Sequence, residues 1–282
     1  MACPDLTNSL APPPVSATIP PMRIREALHV RPGERVAFVG AGGKTSAAWR
    51  VLTELTGEGY PVVFTTTTRI FEPEGVPLLL EPDPSPAAVR GAMGDPPFLV
   101  LAAGRGEPYP GEVPTRPYRA RPVKLVGLAP ERIDSLARAL PKVTWLVEAD
   151  GAKRRKLKAP AEYEPVIPSG VDRVVVVGGL AALGRPLDER TVHRPERAAR
   201  LLEVPFGTTI TPEMVAALLA HPQGGLKGVP GSAAVVALLT QQEGPAHPQA
   251  AAVARRLLSS GRIRRVVLAD LFAPEPVLEV WK

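Results

Sequence analysis

Cysteine occurs once in the 282 residues, at Cys3, and asparagine is nearly absent. A single thiol excludes disulfides and thiolate metal sites within one chain. No apolar run approaches the roughly 20 residues that a membrane helix needs, so no membrane partner is expected. The head, Met1 to Pro21, has no basic start ahead of an apolar core, which excludes a secretory signal. It reads as a disordered leader, or as an over-extended start with Met22 as the true first residue. A cytoplasmic location is expected.

What is present is globular in composition. Hydrophobic residues make up 45% of the chain, enough for a real core. The 35 prolines are scattered between periodic segments, so they punctuate loops rather than form a low-complexity tract. The chain divides into the head and one α/β unit over 22–282, with a Pro-rich excursion at about 105–123. The formal net charge of +6 is mostly local, because Lys153, Arg154, Arg155, Lys156 and Lys158 fall within a single loop. A protein built for duplex DNA spreads its cations along a face. Here they are concentrated and no aromatic residue is interleaved, so nucleic acid is not an expected partner.

Arg35 to Trp49 organises the rest. Val36 to Val39 is an apolar run of β-formers, Gly40-Ala41-Gly42-Gly43 is a turn, and Lys44-Thr45-Ser46 follows. Ala48, Val51, Leu52 and Leu55 then recur at helical spacing. Strand, glycine turn, Lys-Thr and helix is the order of a phosphate-binding loop, in which backbone N–H groups and a helix N-terminus face an anion. The strict GxxxxGK[ST] pattern fails at Phe38, and the dinucleotide pattern GxGxxG fails at Thr45. A shorter GxGGKT loop remains. Lys44 is expected to neutralise phosphate charge and Thr45 to hold Mg²⁺. As an exposed loop residue, Lys44 should be replaceable at little cost to stability.

Further strands are expected at 61–68, 76–80, 97–102, 172–178, 233–240 and 265–269. Helices are expected at 84–93, 130–140, from Pro195, from Pro212 to near His221, and at 247–260. Glu107 to Pro122 reads as an irregular excursion or lid, with Lys124 to Leu128 returning to the core. This alternation predicts an α/β fold, a mostly parallel sheet with helices on both faces, like that of P-loop NTPases. Thr65 and Thr66 end the second strand, where a hydroxyl can meet phosphate or Mg²⁺. Val143 to Gly151 delivers Glu148 and Asp150 at the end of a buried strand, as a Walker-B-like strand does, with Glu148 the candidate metal ligand, direct or through water. Lys153 and Lys158 follow as an anion clamp. His193 is a candidate general acid or base.

With these residues in place, the chain resembles the YqeC-type family, named as accessory proteins of selenium-dependent molybdenum hydroxylases. The resemblance is carried by VGAGGKTS (39–46), TTTTRI (65–70), KLVGLAPERID (124–134), EADGAK (148–153), LKAPAEYEPVIP (157–168), VHRPE (192–196), ITPEMVA (210–216) and HPQGGLKGVP (221–230). Two places depart from the family pattern. Tyr163 stands where a histidine is expected, and LLTQQE follows Ala237 where an Asn-Lys-x-Asp-like segment could read guanine. The resemblance implies a P-loop nucleotide-binding fold and a role in maturing a metalloenzyme or its cofactor, with a molybdenum hydroxylase or a maturation client as partner.

The expected function is therefore an Mg²⁺-dependent protein that binds a nucleoside triphosphate, ATP or GTP, and hydrolyses it or uses it to drive a transfer. Two alternatives stand beside it. One is a nucleotide-gated chaperone or carrier without significant turnover. The other is an ATP-dependent ligase, since the GxGGKT loop is similar to that of Mur-type ligases.

Overall fold

The computed structural model describes residues 22–241 and 244–282, so the expectation for residues 1–21 falls outside it. The first half of the chain runs α1 (Ile24–Ala27), β1 (Arg35–Gly40), α2 (Lys44–Thr56), β2 (Val62–Thr66), β3 (Arg69–Pro73), β4 (Leu78–Leu80), α3 (Pro86–Gly91), β5 (Phe98–Ala102), β6 (Gly104–Pro108), β7 (Ala120–Val126), α4 (Pro130–Ala139) and β8 (Thr144–Glu148). The second half runs β9 (Leu157–Lys158), β10 (Arg173–Gly179), β11 (Val192–His193), α5 (Pro195–Leu202), α6 (Pro212–Ala220), β12 (Ala234–Thr240), α7 (Ala250–Ser259), β13 (Val266–Ala269) and β14 (Val277–Trp281).

Nine of these strands form one sheet in the order β14-β13-β12-β10-β1-β8-β2-β5-β4. Every pairing is parallel except that of β13 with the edge strand β14. The central strands are buried along nearly their whole length. That is why they read as continuous apolar runs, since a parallel sheet is covered on both faces. Phe38, Phe64, Leu146 and Val175 pack on one face with the α2 residues Ala48, Val51, Leu52 and Leu55. On the opposite face, Ala37, Val174 and Val176 pack under α5, α6 and α7, and Trp145 and Val147 under α4.

Helix starts follow local chemistry. The Ser85 and Thr211 hydroxyls accept from the backbone N–H three residues on, and each helix opens on proline.

The chain builds β2, β4 and β5 on one side of β1, returns as β8 beside it, and then builds β10, β12 and β13 on the other. The carboxyl ends of β8, β1 and β10 therefore meet where the direction of building reverses. In open α/β sheets this crevice is where ligands sit.

The excursion differs from the sequence expectation. Gly104–Pro108 and Ala120–Val126 are strands, and with β3 they make a separate antiparallel sheet in the order β3-β7-β6. Lys124 to Val126 thus belongs to this small sheet and not to the main one. Prolines at 108 and 122 and a register shift between Arg105 and Pro108 hide the pattern in the sequence. One face of the small sheet packs Ile70 and Leu125 into the core beneath α2. Tyr118, from the loop between β6 and β7, is buried against Trp49 at 4.6 Å between ring centroids. Arg116 from the same loop lies 5.4 Å over the Phe272 ring, so the loop reaches the segment after β13.

Candidate functional site

β1 ends at Gly40 and the chain turns sharply into α2. Gly40 has φ +94° and Gly42 φ +90°, a region that glycine enters without a Cβ penalty. Space forbids a side chain as well. A Cβ on Gly40 would lie 2.3 Å from the Val177 carbonyl oxygen, and one on Gly42 would lie 2.7 Å from the Gly179 nitrogen. The turn is thus seated on the end of β10. Among the described residues, the N–H groups of Gly42 to Ser46 donate to no protein acceptor, as expected for a first helical turn. Gly42, Gly43, Thr45 and Ser46 are partly exposed, so these donors face an accessible edge of the turn.

Lys44 corrects the expectation of an exposed loop lysine. It is 5% exposed, and its ammonium donates to the Gly40 carbonyl at 2.7 Å and lies 3.1 Å from Asp150 Oδ1. Burial opposes its charge, but Asp150 and Glu148 outweigh burial and raise its pKa. An ammonium has three donors, and the Gly40 carbonyl takes one of them, so donor capacity remains for a further anion.

Glu148 and Asp150 diverge from the end of β8. Glu148 is buried, and Thr45 Oγ1 donates to its Oε2 at 2.6 Å. Burial holds the Glu148 carboxyl above its ordinary pKa, against the opposing pull of Lys44. Asp150 turns the other way, beneath the glycine turn. Its Oδ2 accepts from Gly40 N–H at 3.1 Å and pairs with Lys158 Nζ at 3.1 Å. Its Oδ1 receives no aligned hydrogen bond despite the nearby Lys44 ammonium.

The pairing continues away from the turn. Lys158, fully enclosed, also meets Glu164 Oε2 at 2.6 Å and the Gly151 carbonyl at 2.6 Å. Glu164 pairs in turn with Arg194 Nη1 at 2.7 Å. Burial pushes the Glu164 carboxyl up, but Lys158 and Arg194 outweigh it and hold it below its ordinary value. Lys44, Asp150, Lys158, Glu164 and Arg194 therefore form one chain of alternating charge running from the glycine turn to the start of α5. Sequence reading missed Glu164 and Arg194 as members. The one local signal for Arg194, its place just before Pro195, suggests only a helix start.

The other expected residues are placed as follows. Thr65 and Thr66 are fully buried, and their hydroxyls donate to the Leu101 and Glu148 carbonyls at 2.8 and 2.6 Å. They tie β2 to its neighbours, which engages the groups expected to meet a ligand. The cationic loop is split: Lys158 lies inside the ion chain while Lys153 and Arg154 are exposed. His193, on the short strand beside β9, is half-buried. Desolvation and then Arg194 and Lys158 lower its pKa to about 4, so it is neutral at pH 7.

Thr45 and Glu148 offer only oxygen, the donor type that Mg²⁺ prefers. Among the described residues no cluster of three His, Cys, Asp or Glu side chains could hold a metal alone. A cation here would need water or ligand oxygens to complete its shell, the usual arrangement for Mg²⁺ beside phosphates.

The fold and site define an α/β protein whose mostly parallel sheet presents a glycine turn, a Thr–Glu pair and a buried ion chain at one crevice. Residues 36–196, which contain the glycine turn, the Thr–Glu pair and the ion chain, match the family described as YqeC protein. The chain is 33% identical over 196 residues to a protein described as "Uncharacterized protein YqeC" from Escherichia coli (strain K12), covering 69% of this chain and 71% of that one. The chain belongs to the YqeC family. No solved structure matches it. No helix among the described residues is long and apolar enough to cross a membrane.

Proposed function

We propose that the chain binds an Mg²⁺–nucleoside triphosphate, ATP or GTP, at the Gly40–Ser46 turn. One observation carries the reading. The turn and the first N–H groups of α2 are open to an anion, and immediately beside them Thr45 Oγ1 lies 2.6 Å from Glu148 Oε2 on the adjacent strand. In this reading the backbone donors and a remaining donor of Lys44 take the phosphate oxygens. Thr45 and Glu148 hold the cation, which would supply neutralisation of phosphate charge. Moving Glu148 from a hydrogen bond onto a cation would also relieve the burial penalty on its charge. The motif resemblance extends this reading to maturation of a selenium-dependent molybdenum hydroxylase or its cofactor.

A second reading is a nucleotide-gated carrier, and one observation favours it. Asp150, the acid that could orient an attacking water, is engaged by Lys44, Lys158 and Gly40 N–H. Two measurements separate the readings. A thermal-shift panel of ATP, GTP, CTP and ADP with and without Mg²⁺ should show stabilisation by a triphosphate, about 2.7 kcal/mol at 100 times Kd. Phosphate release should then fall by about 10²-fold in Glu148→Gln if turnover occurs. Binding with no release in either protein leaves the carrier. No shift with any nucleotide ends both.

A further inference from the structure

The exposed face of the small sheet holds cations that pair with no carboxylate among the described residues. In the β3–β7 register Phe71 lies opposite Lys124 and Arg69 opposite Val126, so Arg69, Phe71 and Lys124 share one face. The Lys124 ammonium stands 5.0 Å from the Phe71 ring centroid and 4.9 Å from that of Tyr109. The two rings meet edge to face at 5.0 Å and form its floor. Among the described residues, neither Arg69 nor Lys124 has an ion pair, and the same holds for Lys153 and Arg154. The arginines of the opposite face, Arg105 and Arg121, are both paired with the buried Glu72.

These four cations converge on the carboxyl end of β8. Thr67 N–H donates to the Glu148 carbonyl, which places Arg69 two residues from that strand end. Lys153 and Arg154 follow it after Ala149 to Ala152, in left-handed backbone with φ +45° and +60°. Left-handed conformations cost non-glycine residues energy and cluster at functional sites. Lys124 feels this crowding: burial, then Arg69, Arg154 and Lys153, lower its pKa, while Glu148 raises it.

We propose that Arg69, Lys124, Lys153 and Arg154 form a second anion site beside the Thr45–Glu148 pair, for a small phosphorylated molecule carrying two or more negative charges. Two guanidinium forks and two ammonium groups match phosphate oxygens, and an anion removes their mutual repulsion. The site takes the exposed end of the cationic loop and excludes Lys158, whose charge is already met. Its working together with a bound nucleotide rests on the nucleotide reading; anion binding does not.

The test is calorimetric titration of inorganic pyrophosphate at low salt into the full chain, alone and saturated with MgATP. Wild type should bind pyrophosphate in both conditions. Arg69→Gln/Lys124→Met should bind it at least about tenfold more weakly in both, with MgATP affinity retained and an unchanged melting temperature. Arg154→Gln is the second variant if the double variant misfolds, and should weaken pyrophosphate in the same direction. Three outcomes overturn the proposal. Unchanged pyrophosphate affinity makes the cluster solvated charge. Equal loss of MgATP affinity assigns the cations to the nucleotide's own phosphates. Steeply salt-dependent binding of a single-stranded RNA oligonucleotide, tighter than pyrophosphate, makes it a nucleic-acid surface. If MgATP fails to bind while cluster-dependent pyrophosphate binding persists, the nucleotide reading falls and the anion site stands.

Discussion

Lys153 and Lys158 lie five residues apart in one basic segment, yet their electrostatic surroundings are opposite. Lys158 is enclosed between Asp150, Glu164 and a backbone carbonyl. Lys153 is exposed, and with Arg154, Lys124 and Arg69 it belongs to a group whose charges repel. The first region is an ion chain in which every charge is met by another, so it gives the glycine turn a rigid underside. The second is uncompensated, a condition that favours an incoming anion. A run of basic residues is therefore not one feature, because burial and partners assign each cation its role.

The comparison predicts very different sensitivities to substitution. The largest effect is expected at Asp150. Asp150→Ala leaves Lys44 and Lys158 buried with fewer counter-charges and should cost about 3–5 kcal/mol in urea unfolding. Lys44→Ala should likewise destabilise, because Lys44 is an interior residue here. A cost under about 1 kcal/mol for Asp150→Ala would show that the ion chain does not anchor the turn.

Acidification should come next. Unfolded, His193 titrates near 6.5, whereas in the fold it stays neutral until about pH 4. The unfolded chain thus binds the proton first, and stability falls as pH drops from about 6.5 to about 4. Below that window the depressed carboxylates of Glu164 and Asp172 continue the loss. Melting curves of His193→Gln should be flatter across the upper window only; a wild-type melting temperature constant from pH 6.5 to 4.5 would contradict this origin.

The smallest effect is expected in the uncompensated group. Arg154→Gly removes a repelling charge and the left-handed penalty together. Stability should stay level or rise by up to about 1 kcal/mol. A loss of more than about 1 kcal/mol would mean that Arg154 has a structural partner, and the contrast between the two regions would close.

Most of the main sheet is legible before any coordinates. Its strands are apolar runs of β-formers, and its helices carry three- and four-residue apolar spacing with proline or hydroxyl starts. These signals are local, and the structure places β1, α2, β2, β5, β8, β10, β12 and β13 within a few residues of them. The elements that escaped are those whose stability is not local. β3 and β6 are short and each ends on a proline, and they persist because β7 pairs with both. β14 is half-exposed at the edge and is held by β13.

The site divides along the same line. The sequence by itself determines the glycine turn, because only glycine tolerates φ near +90° against the end of β10. It also determines the delivery of Glu148 and Asp150 by a buried strand. Tertiary structure alone decides which charges meet. Thr45 and Glu148 are 103 residues apart in sequence, and Lys158 is bracketed by acids on two separate segments. Charge type and spacing are properties of the chain, but pairing depends on distance and dielectric, which exist only once strands β1, β8 and β10 lie side by side.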